Sequence, residues 1–174
     1  MGLPYERRSR TVNPFDDPDG LARRVIDANR YLTLGTTGPD GRPRLSPVYF
    51  THVAYRDFYW LSSPDAQHSR NIAAHPGVAL VVYDSTAAVG QGRAVYIDAH
   101  VRVVPDDELP SRCAEAFAHA GQGVRTARAF EPHELASDAD LRLYHARADR
   151  HEIHVPGGEP SNTTGIDVRR QVSL

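Results

Sequence analysis

The sequence contains no lysine: all 20 basic residues are arginines. That excludes Schiff-base chemistry on a lysine, a phosphate-loop lysine and a Ser–Lys dyad. Any phosphate this chain binds must be met by arginine, hydroxyls, backbone N–H groups or a protonated histidine. Arginine suits the task through its planar, bidentate fork. Codon bias would produce the same composition, but the chemical restriction holds whatever its origin. Cysteine is nearly absent, with Cys113 alone. An internal disulfide and a cysteine-based zinc site within one chain are therefore excluded, which fits a reducing compartment.

Neither charge sign dominates. With 20 basic and 22 acidic residues the formal charge is −2. The signs are interspersed, so no global field draws the chain to nucleic acid. No stretch approaches the roughly 20 apolar residues that span a bilayer. Met1 to Arg10 lacks the apolar segment of a secretory signal. The expectation is a cytoplasmic protein with neither nucleic acid nor membrane as partner. Signature motifs are missing too. No GxGxxG opens a helix, no GxSxG forms a nucleophile elbow, and no HExxH occurs. His151 and His154 lie three apart, on opposite faces of a strand, so no metal site is expected.

What remains is a chain of 174 residues, 40% of them hydrophobic, long enough for one domain with one core. Residues 1–18 are polar and proline-punctuated and predict a loose arm. Asp19 to Arg30 predicts a helix, with Leu21, Val25 and Ile26 at helical spacing and Asp19 as cap. Strands are predicted over Tyr31–Thr36, Arg44–Thr51 and Asp57–Leu61, the first two joined by the turn Gly38-Pro39-Asp40-Gly41. Ser63-Pro64 announces a helix that His75-Pro76 ends. The apolar run Val78–Tyr83 predicts a buried strand. Gln91 to Val104 alternates with period two and predicts a long, half-buried one. Asp106–Ala120 and Asp138–His145 read as helices, Ala148–Val155 as the last strand, and Pro156–Gly165 as a loop. About six strands with a few helices suggest an antiparallel barrel with peripheral helices.

Two segments carry groups suited to binding. In Ser62–Asn71 (SSPDAQHSRN) two hydroxyls close a strand and open a helix, and His68, Ser69, Arg70 and Asn71 follow. A hydroxyl, a guanidinium and a helix start are what a phosphomonoester needs. An ordinary capped surface helix would have the same residues. In the second segment, Arg44, Ser46, Pro47, Val48 and Tyr49, Pro47 cannot donate to a ladder, so the strand lies at an edge or bulge. A freed backbone there can face a planar ligand, and an ordinary edge strand fits equally. Cys113 reads as a small buried hydrophobe.

Taken in order, these segments resemble the pyridoxamine 5′-phosphate oxidase-like, flavin-binding split-barrel superfamily. The resemblance runs from about Leu21 to Val104. It rests on the Gly38–Gly41 turn, Arg44-Leu45-Ser46-Pro47-Val48, His68-Ser69-Arg70-Asn71-Ile72 with His75-Pro76, and Gly92-Arg93-Ala94-Val95. Asp167-Val168-Arg169-Arg170 is a fainter echo. The resemblance implies a mainly β fold, a six-stranded antiparallel split β-barrel, dimeric, with FMN at the subunit interface. It further implies that Arg44 to Tyr49 line the flavin ring or ribityl chain. Trp60, Leu61, Ser62 and Ser63 would stand beside ring and phosphate, His68 and Asn71 would flank them, and Ser69 and Arg70 would meet the phosphate. Gln91, Arg93 and Ala94 would approach from the partner subunit.

Pyridoxamine phosphate oxidases proper carry lysines at the positions of Tyr49 and Asn71 and a glutamine at that of Ala94. Their C-terminal Trp and Arg-x-His features have no counterpart after His154. The resemblance thus implies scaffold and cofactor and not vitamin B6 oxidation. The implied function is an FMN-dependent oxidoreductase acting on a small molecule. The alternatives are an F420-dependent reductase on the same fold, or a non-catalytic flavin- or haem-binding protein. No acid or base stands out; His52, His68 and Tyr49 are the candidates. The expected organisation is an arm over 1–18, the barrel over 19–155 and a tail over 156–174.

Overall fold

The computed structural model describes residues 13–118 and 128–174. Most of the expected arm, and the last two residues of the helix expected over Asp106–Ala120, lie outside the described residues. The chain first makes a 3-10 turn at Pro14–Asp16, then helix α1 over Pro18–Ala28. Pro18 sets the first helical position, where its missing N–H costs nothing. The cap is therefore Asp17, whose carboxylate accepts from the Gly20 N–H at 2.8 Å. Asp19 instead accepts from the Ser173 N–H at 3.1 Å and ties α1 to the C-terminus. Leu21, Ala22 and Ile26 are the buried face of α1.

Strand β1 (Tyr31–Thr37) and β2 (Pro43–Tyr49) form a hairpin. Gly41 sits at φ +75° in its turn, where a side chain would be strained. β3 (Thr51–Val53) follows after Phe50 alone and pairs with β4 (Asp57–Ser62). The turn between β3 and β4 places Ala54 and Tyr55 at φ 49° and 55°, at roughly 1–2 kcal/mol each for a non-glycine residue. Then come α2 (Gln67–Ala74), β5 (Gly77–Tyr83), β6 (Ala94–Val103), α3 (Leu109–Ala116), a 3-10 turn at Pro132–Glu134, β7 (Arg142–Val155) and β8 (Val168–Val172).

The strand order is β2-β1-β5-β6-β7-β4-β3, with β8 added to β7, and every pairing is antiparallel. The two ends of this order, β2 and β3, are neighbours in sequence. The sheet therefore curls back toward itself as a half-barrel around one core. Leu32, Leu34, Phe58, Leu80, Ile97 and Ile153 are fully enclosed there. A second apolar cluster, with Tyr59, Leu109, Cys113, Leu135 and Leu143, lies between the sheet and α3.

Four further sequence expectations change. Among the described residues there are eight strands rather than six, because Phe50 separates β2 from β3 and because β8 lies in the tail. Asp138–His145 is not helical. Leu143 and His145 face α3 while Tyr144 and Ala146 enter the barrel core, so β7 begins at Arg142 and is longer than β6. Val78–Tyr83 buries one face only, Val78, Leu80 and Val82, leaving Ala79 and Tyr83 exposed. Ser63 does not cap α2. Ser63–Ala66 closes a turn with Ala66 N–H on the Ser63 carbonyl at 3.1 Å, and the helix starts at Gln67 without a side-chain cap. Pro64 still marks a turn, one step too early for the helix. Among the described residues no helix is long and apolar enough to cross a membrane.

Candidate functional site: a cleft between β2 and β4

The partner change at Phe50 creates the site. β2 pairs only with β1, while β3 pairs only with the first half of β4, from Tyr59 back to Asp57. Trp60–Ser62 and the outer edge of β2 are thus left without a strand between them. A cleft of about 410 Å³ opens there, a size suited to a small-molecule ligand. Pro47, Val48 and Tyr49 line it from β2, Trp60 and Leu61 from β4, and His68 from α2. The facing wall, Phe117, Phe130 and Leu143, is apolar. Arg128 also lines the cleft. Its guanidinium lies 3.8 Å over the Phe130 ring and pairs with Glu134 at 2.8 Å, so its charge is already matched.

Trp60 forms the rigid side. It stacks on Tyr144 with centroids 5.8 Å apart and planes 6° from parallel. Its Nε1 is buried without a partner among the described residues. Tyr49 packs edge-on against Tyr31 at 5.9 Å.

A polar cluster closes the α2 end. Ser62 Oγ lies 2.8 Å from His68 Nε2, and the Ser69 hydroxyl donates to Ser62 Oγ at 3.4 Å. Ser69 is only 3% exposed, so His68 fronts the cleft and Ser69 stands behind it. Burial lowers the His68 pKa from its ordinary value, which keeps the imidazole neutral at pH 7. Arg70 is exposed and donates to the Asp65 carbonyl, which lays its charge on the Ser63–Ala66 turn. The Ser63 hydroxyl is held in that turn by the Asp65 N–H at 3.2 Å.

Asn71 belongs to the framework. It is 2% exposed. Its Nδ2 donates to Thr36 Oγ1 at 2.9 Å, and its Oδ1 accepts from Gln67 Nε2 at 2.9 Å. The amide therefore fastens α2 to β1. Thr36, Phe117, Arg128 and Phe130 were not singled out by sequence reasoning. The Gln67–Asn71 pair has the i,i+4 spacing that a helix reading could have used. No sequence signal marks Phe117 or Phe130, which meet at the C-terminal end of α3 with ring centroids 5.8 Å apart.

Other expected residues lie elsewhere. Arg44 is exposed at the hairpin end of β2, on the strand face of Ser46 and Val48, and pairs with Asp40 at 3.1 Å. Ser46 is half-buried opposite Leu34. His52 turns to α1, 3.1 Å from Asp27, and stacks on Tyr55 at 4.8 Å. Gln91 sits in a turn, its N–H on the Ala88 carbonyl. Arg93 lies 5.1 Å over Phe15. With Ala94 it lines a second cleft, of about 510 Å³, that also includes Tyr96, His154 and Asp167.

The two clefts lie at opposite ends of β7, while across the sheet Pro47 of the first and Val81 of the second share one row, two strand spacings apart. Ser62 pairs with Arg142 and Val95 with Ile153. Eleven residues of β7 separate those positions, on the order of 35 Å of strand. Between them the outer face of β2, β1 and β5 is uncharged. Leu45, Gly35 and Ala79 form one row across it and Pro47, Thr33 and Val81 the next. Leu45 is 73% exposed and Tyr31 61%.

The sequence profile described as pyridoxamine 5′-phosphate oxidase matches residues 19–151. The chain belongs to the pyridoxamine 5′-phosphate oxidase family. One relative is the pyridoxine/pyridoxamine 5′-phosphate oxidase of Burkholderia lata, 35% identical over 65 residues. That match covers 37% of this chain and 30% of that protein, so the chain spans about a third of the length of such relatives. Two solved structures share the fold. A haem-binding protein of Mycobacterium smegmatis aligns at TM-score 0.60 and 17% identity, over 86% of this chain and 56% of that one. A FAD-binding protein of Mesorhizobium loti aligns at TM-score 0.54 and 19% identity, over 75% of this chain and 87% of that one. In this chain His68 and the β2 edge line one cleft together.

Proposed function

We propose that this family member is a homodimeric, FMN-dependent oxidoreductase whose flavin lies in the β2–β4 cleft. The observation that carries this reading is the cleft itself. It is an apolar slot, flanked by an open strand edge and bordered at one end by the His68 imidazole, with the Ser62 and Ser69 hydroxyls behind that ring and Arg70 exposed on the same helix. A planar ring with a phosphorylated tail has that distribution of polarity. Val48, Tyr49, Trp60 and Leu61 would flank the ring. His68 and Arg70 would meet the phosphate, with Ser62 and Ser69 behind them. When bound, FMN supplies hydride transfer to or from a small molecule on its open face.

Gln91, Arg93 and Ala94, which do not line the β2–β4 cleft, would be supplied by the partner subunit, as the family resemblance implies. The uncharged β2–β1–β5 face supports the dimer, because a monomer gains nothing by exposing Leu45 and Tyr31 on one face. Vitamin B6 oxidation is disfavoured. Where the B6 oxidases have a lysine, Asn71 is buried in the α2–β1 joint and cannot reach a substrate phosphate.

The test is FMN uptake. The purified protein, or apoprotein with added FMN, is expected to show the oxidised-flavin band near about 450 nm. A band near about 420 nm would instead indicate F420, and a Soret band haem. Ser69→Ala combined with Arg70→Ala removes polar contacts worth about 1.5–3 kcal/mol where charge is involved. FMN affinity should fall at least tenfold. Unchanged affinity in that double variant, or no FMN uptake by the wild type, refutes the reading.

A further inference from the structure

His68 has one ring nitrogen engaged and one to spare. Nε2 is 2.8 Å from Ser62 Oγ. Nδ1 has no partner among the described residues, and the ring lines the cleft. In a chain without lysine, a phosphate dianion at this end of the cleft meets one guanidinium and this imidazole. We propose that His68 is the second cation of the phosphate site, charged only when the phosphate arrives, so that binding a phosphomonoester takes up one proton. The inference rests on the flavin reading above and deepens it.

Geometry and charge both support the step. The free imidazole is half-buried, and burial favours its neutral form. A dianion within hydrogen-bond reach reverses that balance, because an opposite charge favours the ionised form. Once protonated, both ring nitrogens donate, Nε2–H to Ser62 Oγ and Nδ1–H to a phosphate oxygen. Ser62 no longer has to donate to His68. It can turn its proton to the Ser63 carbonyl, 3.4 Å away. The proton comes from bulk solvent, and no bond other than N–H is made or broken.

The surrounding charges do not pre-empt this. Tyr49, Tyr59 and Arg128 share the cleft, and Arg128 is paired to Glu134. Asp65 and Arg70 belong to the same turn and helix, with the Arg70 guanidinium on the Asp65 carbonyl. Arg142, opposite Ser62 on β7, donates to the Leu141 carbonyl at 3.0 Å. Among the strands that pack on α2, β1 carries no charged residue. On β2, Arg44 is paired to Asp40. On β6, Asp98 is paired to Arg150, His100 to Asp149 and Arg102 to Glu108. None of these carboxylates is bonded to His68, so no resident acid charges it in advance.

The experiment is calorimetric titration of the apoprotein at pH 7.5 with FMN and with riboflavin, which has the same ring without the phosphate. Each titration is run in Tris and in PIPES, whose ionisation enthalpies differ. At this pH the phosphate is already the dianion, since its second pKa is about 6. Proton uptake approaching one per FMN is expected, with none for riboflavin and none for FMN binding to His68→Gln. Between pH 7 and 8.5 FMN affinity should weaken by up to about tenfold per pH unit, while riboflavin affinity stays flat. FMN that binds without proton uptake, or with the uptake also seen for riboflavin or for His68→Gln, overturns the proposal. If His68→Gln does not fold, the contrast between FMN and riboflavin on the wild type decides. Failure of the wild type to bind FMN at all is a different result, and it removes the flavin reading together with this one.

Discussion

Replacing Asn71 with alanine separates a structural amide from a ligand-binding one. The side chain makes two hydrogen bonds of 2.9 Å, to Thr36 and Gln67. Its loss orphans the Thr36 hydroxyl, which is 4% exposed. Each bond is worth about 0.5–1.5 kcal/mol net, and a buried unsatisfied hydroxyl costs about 1–3 kcal/mol. The central expectation is a destabilisation of about 3 kcal/mol. In a domain of this size that lowers Tm by roughly 6–12 °C. Urea denaturation and calorimetry of the apoprotein measure it without any cofactor. Thr36→Val removes the same bond from the other side, so the two substitutions should be coupled by about 1 kcal/mol or more in a double-mutant cycle. Asn71→Lys, which restores the residue type of the B6 oxidases, would bury an ammonium in the α2–β1 joint and should destabilise more than alanine does. An Asn71→Ala protein that keeps its Tm yet loses FMN would refute the reasoning, because the amide would then be a ligand contact and not a joint.

Three other outcomes follow from the structure. Trp60 is the only tryptophan and lines the cleft, so FMN should quench the intrinsic fluorescence and saturate at one flavin per subunit; unquenched emission at saturating FMN would place the flavin elsewhere. Leu45→Glu puts a charge in the middle of the uncharged β2–β1–β5 face and should convert a dimer into a monomer by sedimentation, with loss of FMN affinity. An unchanged sedimentation profile excludes that face as the interface. Burial lowers the pKa of His145 and of His151, against about 6.5 for an unfolded histidine. The unfolded chain therefore binds protons first as pH drops below about 6.5, and folding stability is lost on the acid side until the folded pKa values are reached. Urea midpoints measured from pH 7.5 to 5 should decline, less steeply in His151→Gln. Equal slopes in the two proteins would show that buried His151 does not contribute.

Local chemistry was legible wherever one segment carried its own instruction. The Gly38–Gly41 turn, the alternation of Val95, Ile97, Ala99 and Val101, and the helical spacing of Leu21, Val25 and Ile26 specify their elements, because period and turn geometry are properties of short stretches. The absence of lysine alone settled which groups could meet a phosphate. The sequence could not say that Arg142–His145 is extended, since a short apolar stretch has no decisive period and pairing with β4 and β6 decides it. Nor could it assign Asn71. Polar residues on a helix look alike until one is buried against Thr36. The cleft depends on the chain changing partners at Phe50, which leaves the β2 edge and Trp60–Ser62 open to each other. That is a fact about registry between distant strands, and a local pattern does not record it. The residue types able to bind a flavin phosphate are written in the sequence. Tertiary structure alone decides that His68 fronts the cleft while Ser69 stands behind it, because helix position and burial set which of two neighbouring side chains meets the solvent.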